Sequence, residues 1–133
     1  MTIKVLIQGD KMIRHIDHIV LTVSDIEFSV KFYRRVLLMD EITFANGRKA
    51  LRFGNQKINL QTLGQEPRNN AHVGSGDLCL ITHWDLNDVV AHLKNENIAI
   101  IEGPVDKSGA IGQITSIYFL DPDNNLIEIS VYN

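Results

Sequence analysis

Short apolar runs and amphipathic stretches alternate along the chain, and the same alternation occurs twice. Residues 16–23 (IDHIVLTV) are rich in β-branched side chains and read as a strand buried on both faces. Ser24 followed by Glu27 has the spacing of a capping box, which predicts a helix from this point. Its apolar face is Ile26, Val30, Tyr33 and Leu37, and it is expected to end near Leu38. Strands are expected at 41–45, 49–53 and 57–62, with Asn46-Gly47 as a hairpin turn and Gly54-Asn55 as the next turn. Residues 64–76 are polar, carry Pro67, and read as a linker or mobile loop. The pattern then restarts. Residues 77–82 form an apolar strand, and Asp85 can cap a helix with the face Leu86, Val89, Val90 and Leu93. Residues 98–101 are apolar again, Gly103-Pro104 breaks the chain, and 108–112 is a loop containing glycine. Strands at 115–120 and 126–132 flank the turn-forming run DPDNN at 121–125.

The order strand–helix–strand–strand–strand therefore occurs twice, about 60 residues apart. The expected fold is α+β: two βαβββ repeats forming a curved, mixed and mostly antiparallel sheet around a cleft, with the helices outside. The repeats cover about 14–63 and 77–132, the loop 64–76 joins them, and residues 1–13 are an N-terminal extension. In that extension Ile3, Val5 and Ile7 alternate as an extra edge strand would. The pattern does not suit a dinucleotide-binding fold, which alternates strand and helix throughout behind a glycine-rich turn.

At 133 residues the chain has the size of one domain. Its net charge of −3 and the absence of a basic run argue against nucleic acid as a partner. Lys31, Arg34 and Arg35 read as a solvated helix face. The single cysteine, Cys79, excludes an internal disulfide and a thiolate zinc cluster, and its apolar neighbours suggest a small buried core residue. No apolar run is long enough to span a bilayer, and residues 1–11 lack a secretory pattern, so a cytoplasmic protein with no membrane partner is the expectation.

Two polar residues interrupt apolar strands: His18 beside Ile19-Val20-Leu21, and Glu128 within Leu126-Ile127-Glu128-Ile129-Ser130-Val131. Each needs water, a partner or a metal. Strand alternation puts Thr22 on the face of His18, and Ser130 on the face of Glu128. Tyr118 is a further candidate for lining the cleft. A hydrogen-bonded pocket histidine and a Glu128–Arg52 ion pair are the structural alternatives. His15, His83 and His92 read as surface residues, and Trp84 as a cap over the second helix.

The segment Ile16-Asp17-His18-Ile19-Val20-Leu21-Thr22-Val23-Ser24-Asp25, followed by Phe32-Tyr33, resembles the opening motif of the vicinal-oxygen-chelate superfamily of glyoxalases, bleomycin-resistance proteins and extradiol dioxygenases. Ile117-Tyr118-Phe119-Leu120-Asp121-Pro122-Asp123-Asn124-Asn125-Leu126-Ile127-Glu128 resembles its closing motif, the more specific of the two, and Glu102-Gly103-Pro104 fits between them. The resemblance runs over 14–132 and is nearest the small glyoxalase-domain or virulence-associated branch. It implies a divalent metal (zinc, nickel, manganese or iron(II)) with His18 and Glu128 as ligands. The third ligand, often histidine, opens the second repeat. Here Asp77 stands in that place, with His72 as the other candidate and Gln61 as a possible fourth. The resemblance further implies a homodimer, a small-molecule substrate, and a metal-dependent lyase or isomerase of the lactoylglutathione-lyase type in which Glu128 also moves the proton. An extradiol-type dioxygenase, which would need His72 as ligand, and a non-enzymatic binder of a drug or toxin are the alternatives.

Overall fold

The computed structural model describes residues 11–133. The alternation of Ile3, Val5 and Ile7 lies outside the described residues. The first module comprises β1 (His18–Thr22), α1 (Ile26–Leu37), β2 (Asp40–Phe44), β3 (Arg48–Phe53) and β4 (Gln56–Gln61). The second comprises β5 (Asp77–Ile81), α2 (Leu86–Asn95), β6 (Glu102–Ser108), β7 (Gln113–Leu120) and β8 (Leu126–Tyr132). The expected βαβββ repeat is present in both, as two four-stranded mixed sheets ordered β1-β4-β3-β2 and β5-β8-β7-β6. In each, the first strand pairs in parallel with the last, and the remaining pairs are antiparallel.

Three local expectations need correction. The cap of α1 is Asp25, whose carboxylate accepts from the Phe28 N–H, and not Ser24. Ser24 turns instead to the second module, where its N–H and hydroxyl both donate to Asp123. The apolar run 98–101 is not a strand; β6 begins at Glu102 and runs through Gly103-Pro104. Its register against β7 shifts between Glu102 and Val105, so this edge strand accommodates the proline at an irregularity. Finally, His92 is half-buried rather than on the surface, with Nε2 2.9 Å from the Val36 carbonyl.

Alternation explains the core. In β4, Ile58 and Leu60 are buried in a cluster that also takes Leu21 and Val23, Leu51, Ile117 and Phe119, Ile127 and Ile129. Val30, Tyr33 and Val36 of α1, and Val89 and Leu93 of α2, complete it. One continuous apolar core thus joins the apolar face of each sheet to both helices. The alternate residues, which include His18, Asn59, Gln61, Ser116 and Glu128, form a polar face on each sheet.

The modules are also tied by a polar knot at the β7–β8 turn. Buried Asp121 accepts from the backbone N–H groups of Asp123 and Asn125 on Oδ1, each at 2.9 Å. Its Oδ2 accepts from Asn125 Nδ2 at 2.9 Å and from the Tyr33 hydroxyl of α1 at 2.6 Å. Asn125 Oδ1 in turn accepts from the Gly76 N–H at 2.6 Å, where the chain enters β5. A Cβ on Gly76 would lie 2.7 Å from a Leu21 methyl and 2.8 Å from that same Asn125 oxygen, so glycine is needed there.

Burial, followed by the facing Asp121 carboxylate, pushes the Tyr33 phenol well above its ordinary range. The phenol of the unfolded chain ionises at about pH 10. The folded pKa is the higher of the two, so this contribution to stability is present below about pH 10 and is lost as pH rises above it. Tyr33→Phe should therefore lower stability at neutral pH by about 1.5–3 kcal/mol, the scale of a hydrogen bond to a charged group. It should also flatten the alkaline loss of stability; denaturant titrations at several pH values check both.

Candidate functional site

Glu128 sits mid-way along β8, opposite Cys79 of β5 on one side and Tyr118 of β7 on the other. One rung further along the same face, Ser130 stands opposite Ser116. The Ser116 hydroxyl is 2.6 Å from Glu128 Oε2 and 2.6 Å from the Ser130 hydroxyl, and Ser130 Oγ is 3.4 Å from the same carboxylate oxygen. Cys79 Sγ is 3.3 Å from Ser130 Oγ. A hydroxyl carries one proton. The arrangement that satisfies the row runs from the Cys79 thiol to Ser130, from Ser130 to Ser116, and from Ser116 to Glu128. Every donor then points toward Glu128, and Oε1 keeps no serine partner.

This environment acts on its neighbours. Burial raises the Cys79 thiol pKa, the bond to Ser130 opposes that, and the Glu128 and Asp77 charges raise it further. Burial, then a hydrogen bond to Glu128 and the charge of that carboxylate, push the Tyr118 phenol up to about 12, so it is a hydrogen-bond donor at neutral pH. The Glu128–Arg52 ion pair, the structural alternative to a ligand role, does not form. Arg52 lies in the other sheet between Lys57 and Asp40, and among the described residues Glu128 makes no ion pair. Cys79 is not a core residue either. It alternates with Leu78 and Leu80 onto the polar face, where it is exposed.

The remaining candidates are dispersed. His18 opens β1, half-exposed, with Nδ1 2.8 Å from Asp17 Oδ1. That hydrogen bond is the main reason the Asp17 carboxyl lies below its ordinary range. His18 lines a cavity of about 120 Å³ with Cys79, Leu78, Ile58 and Lys57, but without Glu128. Cys79 therefore stands between the two, sharing a cavity with His18 and a strand register with Glu128. Asp77 is exposed at the start of β5, level with Leu126. His72 is exposed on the inter-module loop, where its carbonyl accepts from Ser75. Gln61 and Thr22 are buried together in the first sheet, with Gln61 Nε2 2.9 Å from Thr22 Oγ1. Of the candidates, the structure thus gathers Glu128, Tyr118 and Ser130, and separately Thr22 and Gln61.

A metal held within one chain does not fit this placement. Among the described residues no three His, Cys, Asp or Glu side chains come together as a donor set. The His72 that the dioxygenase alternative needs as a third ligand is likewise not grouped with His18 and Glu128 among the described residues of one chain.

Two contributors escaped sequence reasoning. Ser116 is hidden among Thr115, Ile117 and other strand residues, and only the β7–β8 register brings it to Glu128. Asn59 could have been found. The bonds Val23 N–H to Gln61 O and Thr82 N–H to Ser130 O are equivalent, so the repeat superposes His18 on Asp77 and Asn59 on Glu128. Asn59 within Ile58-Asn59-Leu60 carries the same signal as Glu128 within Ile127-Glu128-Ile129.

Comparison with known proteins fits this architecture. The family model described as Glyoxalase/Bleomycin resistance protein/Dioxygenase superfamily matches residues 15–129. Virulence protein STM3117 of Salmonella typhimurium is 52% identical over 124 residues, covering 91% of this chain and 86% of its own. Glyoxalase domain-containing protein RDO1 of Mycosarcoma maydis is 48% identical over 128 residues, covering 94% of this chain and 72% of its own. Metallothiol transferase FosB of Staphylococcus epidermidis is 31% identical over 119 residues, covering 88% and 81%. The solved structure of the integron cassette protein VCH_CASS1 from V. cholerae has a TM-score of 0.89 at 50% identity, covering 94% of this chain and all of its own.

Two outcomes follow from the geometry. With its pKa raised, Cys79 should react slowly with iodoacetamide at neutral pH, and Glu128→Gln should accelerate the reaction by removing a charge that disfavours the thiolate; an unchanged rate would contradict the contact. Because the described residues of one chain offer no three-donor set, protein shown by light scattering to be monomeric should retain no stoichiometric divalent metal in elemental analysis.

Proposed function

Because the chain belongs to the glyoxalase/bleomycin resistance protein/dioxygenase superfamily, we propose that it is a glyoxalase-like lyase or isomerase of a small oxygenated substrate, with Glu128 moving the proton. The observation that carries this reading is the hydroxyl row on the second sheet. Ser116 holds one oxygen of Glu128 and fixes the direction of the carboxylate that, in this reading, takes the substrate proton. A base attacking a C–H beside a carbonyl generates negative charge on the carbonyl oxygen. The Tyr118 phenol stays protonated at neutral pH and stands level with Glu128, so in this reading its hydroxyl turns from Glu128 to that oxygen as the charge grows. The chemistry is therefore proton abstraction next to a carbonyl, followed by return of the proton to a neighbouring atom. A homodimer of the chain and a cytoplasmic location belong to the same proposal.

A second reading rests on a different observation. An apolar cavity of about 200 Å³ lies between the end of α1, α2 and β5, walled by Leu38, Met39, Leu80, Trp84 and Leu93. It suits a non-enzymatic binder of a small apolar molecule. Trp84 is the only tryptophan, so its fluorescence reports occupancy of that cavity directly.

The test follows C–H exchange with solvent deuterium in small α-hydroxy aldehydes and ketones, with and without added divalent metal. Wild-type protein should catalyse exchange, and Glu128→Gln should lower the rate by about 10²–10⁴, the usual worth of a positioned base. Tyr118→Phe should lower it less. If wild-type protein catalyses no exchange and Trp84 emission responds to apolar ligands, the binder reading replaces this one.

A further inference from the structure

The apolar cavity between the end of α1, α2 and β5 is bounded by a residue that folding alone does not favour. Leu38, which follows α1, has φ +57°, a left-handed conformation that a leucine side chain disfavours and that glycine usually supplies at a helix end. Its side chain is also 56% exposed, and two other residues of the cavity wall, Ile81 and Trp84, are 49% and 46% exposed. Exposed apolar side chains scattered singly are ordinary. Three around one cavity make a mouth that an apolar ligand can cover.

Size limits the occupant. At about 200 Å³ the cavity is smaller than the about 300–1,000 Å³ usual for drug-sized ligands, and larger than the about 150 Å³ hollow that accepts benzene. It suits one short alkyl chain or a single ring.

Charge sets the other end of the ligand. Leu38 and Met39 are shared with an adjoining groove, whose other walls are Lys31, Arg34, Arg35 and Asp40. Three cations against one carboxylate make the groove positive on a chain of net charge −3. Arg35 is committed, with Nη1 2.8 Å from Glu96 Oε1. Arg34 is held weakly: Glu41, its one ion-pair partner among the described residues, is 3.6 Å away and stands 2.8 Å from Lys49 Nζ. Lys31 takes part in no ion pair among the described residues. An anion in the groove therefore meets two cations that the chain leaves largely unneutralised.

We propose that cavity and groove form one binding site for a small amphipathic carboxylate. Its apolar body, a medium-length chain or one ring, fills the cavity, its carboxylate rests on Lys31 and Arg34, and Leu38 is the wall common to both. The assignment rests on the reading of this cavity as a ligand site and adds the ligand class; it does not depend on Glu128. It also has a distinctive consequence. Water solvates a carboxylate strongly, so an apolar cavity by itself prefers the alcohol of the same chain, and only cations at its rim reverse that order.

Octanoate and 1-octanol are the probes, with the emission of Trp84, the only tryptophan, as the readout. At low ionic strength octanoate should shift that emission to shorter wavelength at concentrations about tenfold lower than octanol does, and added salt should narrow the gap. Lys31→Gln and Arg34→Gln, both at exposed positions of α1, should each weaken octanoate by about two- to fivefold, the worth of an exposed ion pair, and leave octanol unchanged. Leu38→Gly removes the common wall where the backbone suits glycine, so it should keep its thermal midpoint and weaken both probes. If octanoate binds no tighter than octanol, if neither charge variant weakens octanoate, or if Leu38→Gly binds both probes as the wild type does, the proposal is overturned and the apolar-binder reading stands. If neither probe moves Trp84 emission, both fall together.

Discussion

One buried carboxylate, Asp121, organises the junction on which the rest of the molecule depends. It closes the β7–β8 turn through two backbone N–H groups and reaches across the modules to Tyr33 of α1. A carboxylate this deeply buried is costly unless its lone pairs are filled, and here four donors fill them. The helix of the first module is thereby held against the sheet of the second, where Phe32 packs beside Phe119 with ring centroids 6.5 Å apart. The turn also sets where β8 begins, and so where Glu128 falls relative to Cys79 and Tyr118. The apolar core supplies most of the driving force for folding; this polar knot fixes how the two modules are joined.

Within that frame the sheets divide the labour. Their apolar faces share one core with the helices, and their polar side chains lie on the opposite faces. The repeat makes Asn59 and Glu128 counterparts, yet the two have diverged. Glu128 is half-buried with the Ser116 hydroxyl on one oxygen, whereas Asn59 is buried with an oxygen that no described residue satisfies.

Much of this was legible in the chain itself. The helix face Ile26, Val30, Tyr33 and Leu37, the Asn46-Gly47 hairpin and the turn at 121–125 each rest on local chemistry, and local chemistry placed them within a residue or two. The α1 cap was misassigned because Ser24 and Asp25 are both competent caps, and only the distant Asp123 decides between them. Strand β6 was missed because Gly103-Pro104 is a breaker by local rules, and pairing with β7 overrides it. Glu128 was found because a charge inside an apolar strand is conspicuous. Ser116 was not, because serine is unremarkable in a strand until register brings it to a carboxylate. The proposed convergence of His18 with Glu128 on a metal depended on how the two sheets meet, which no periodicity encodes; Cys79 stands between them.

The central claim is that Glu128 acts as a base because Ser116 holds it. A double-mutant cycle on the rate of C–H exchange tests this most directly, using Ser116→Ala, Glu128→Gln and the double variant. If the serine acts through the carboxylate, Ser116→Ala slows the wild-type protein and changes nothing once Glu128 is gone. If the two losses simply multiply, the serine and the carboxylate act independently and the account is wrong.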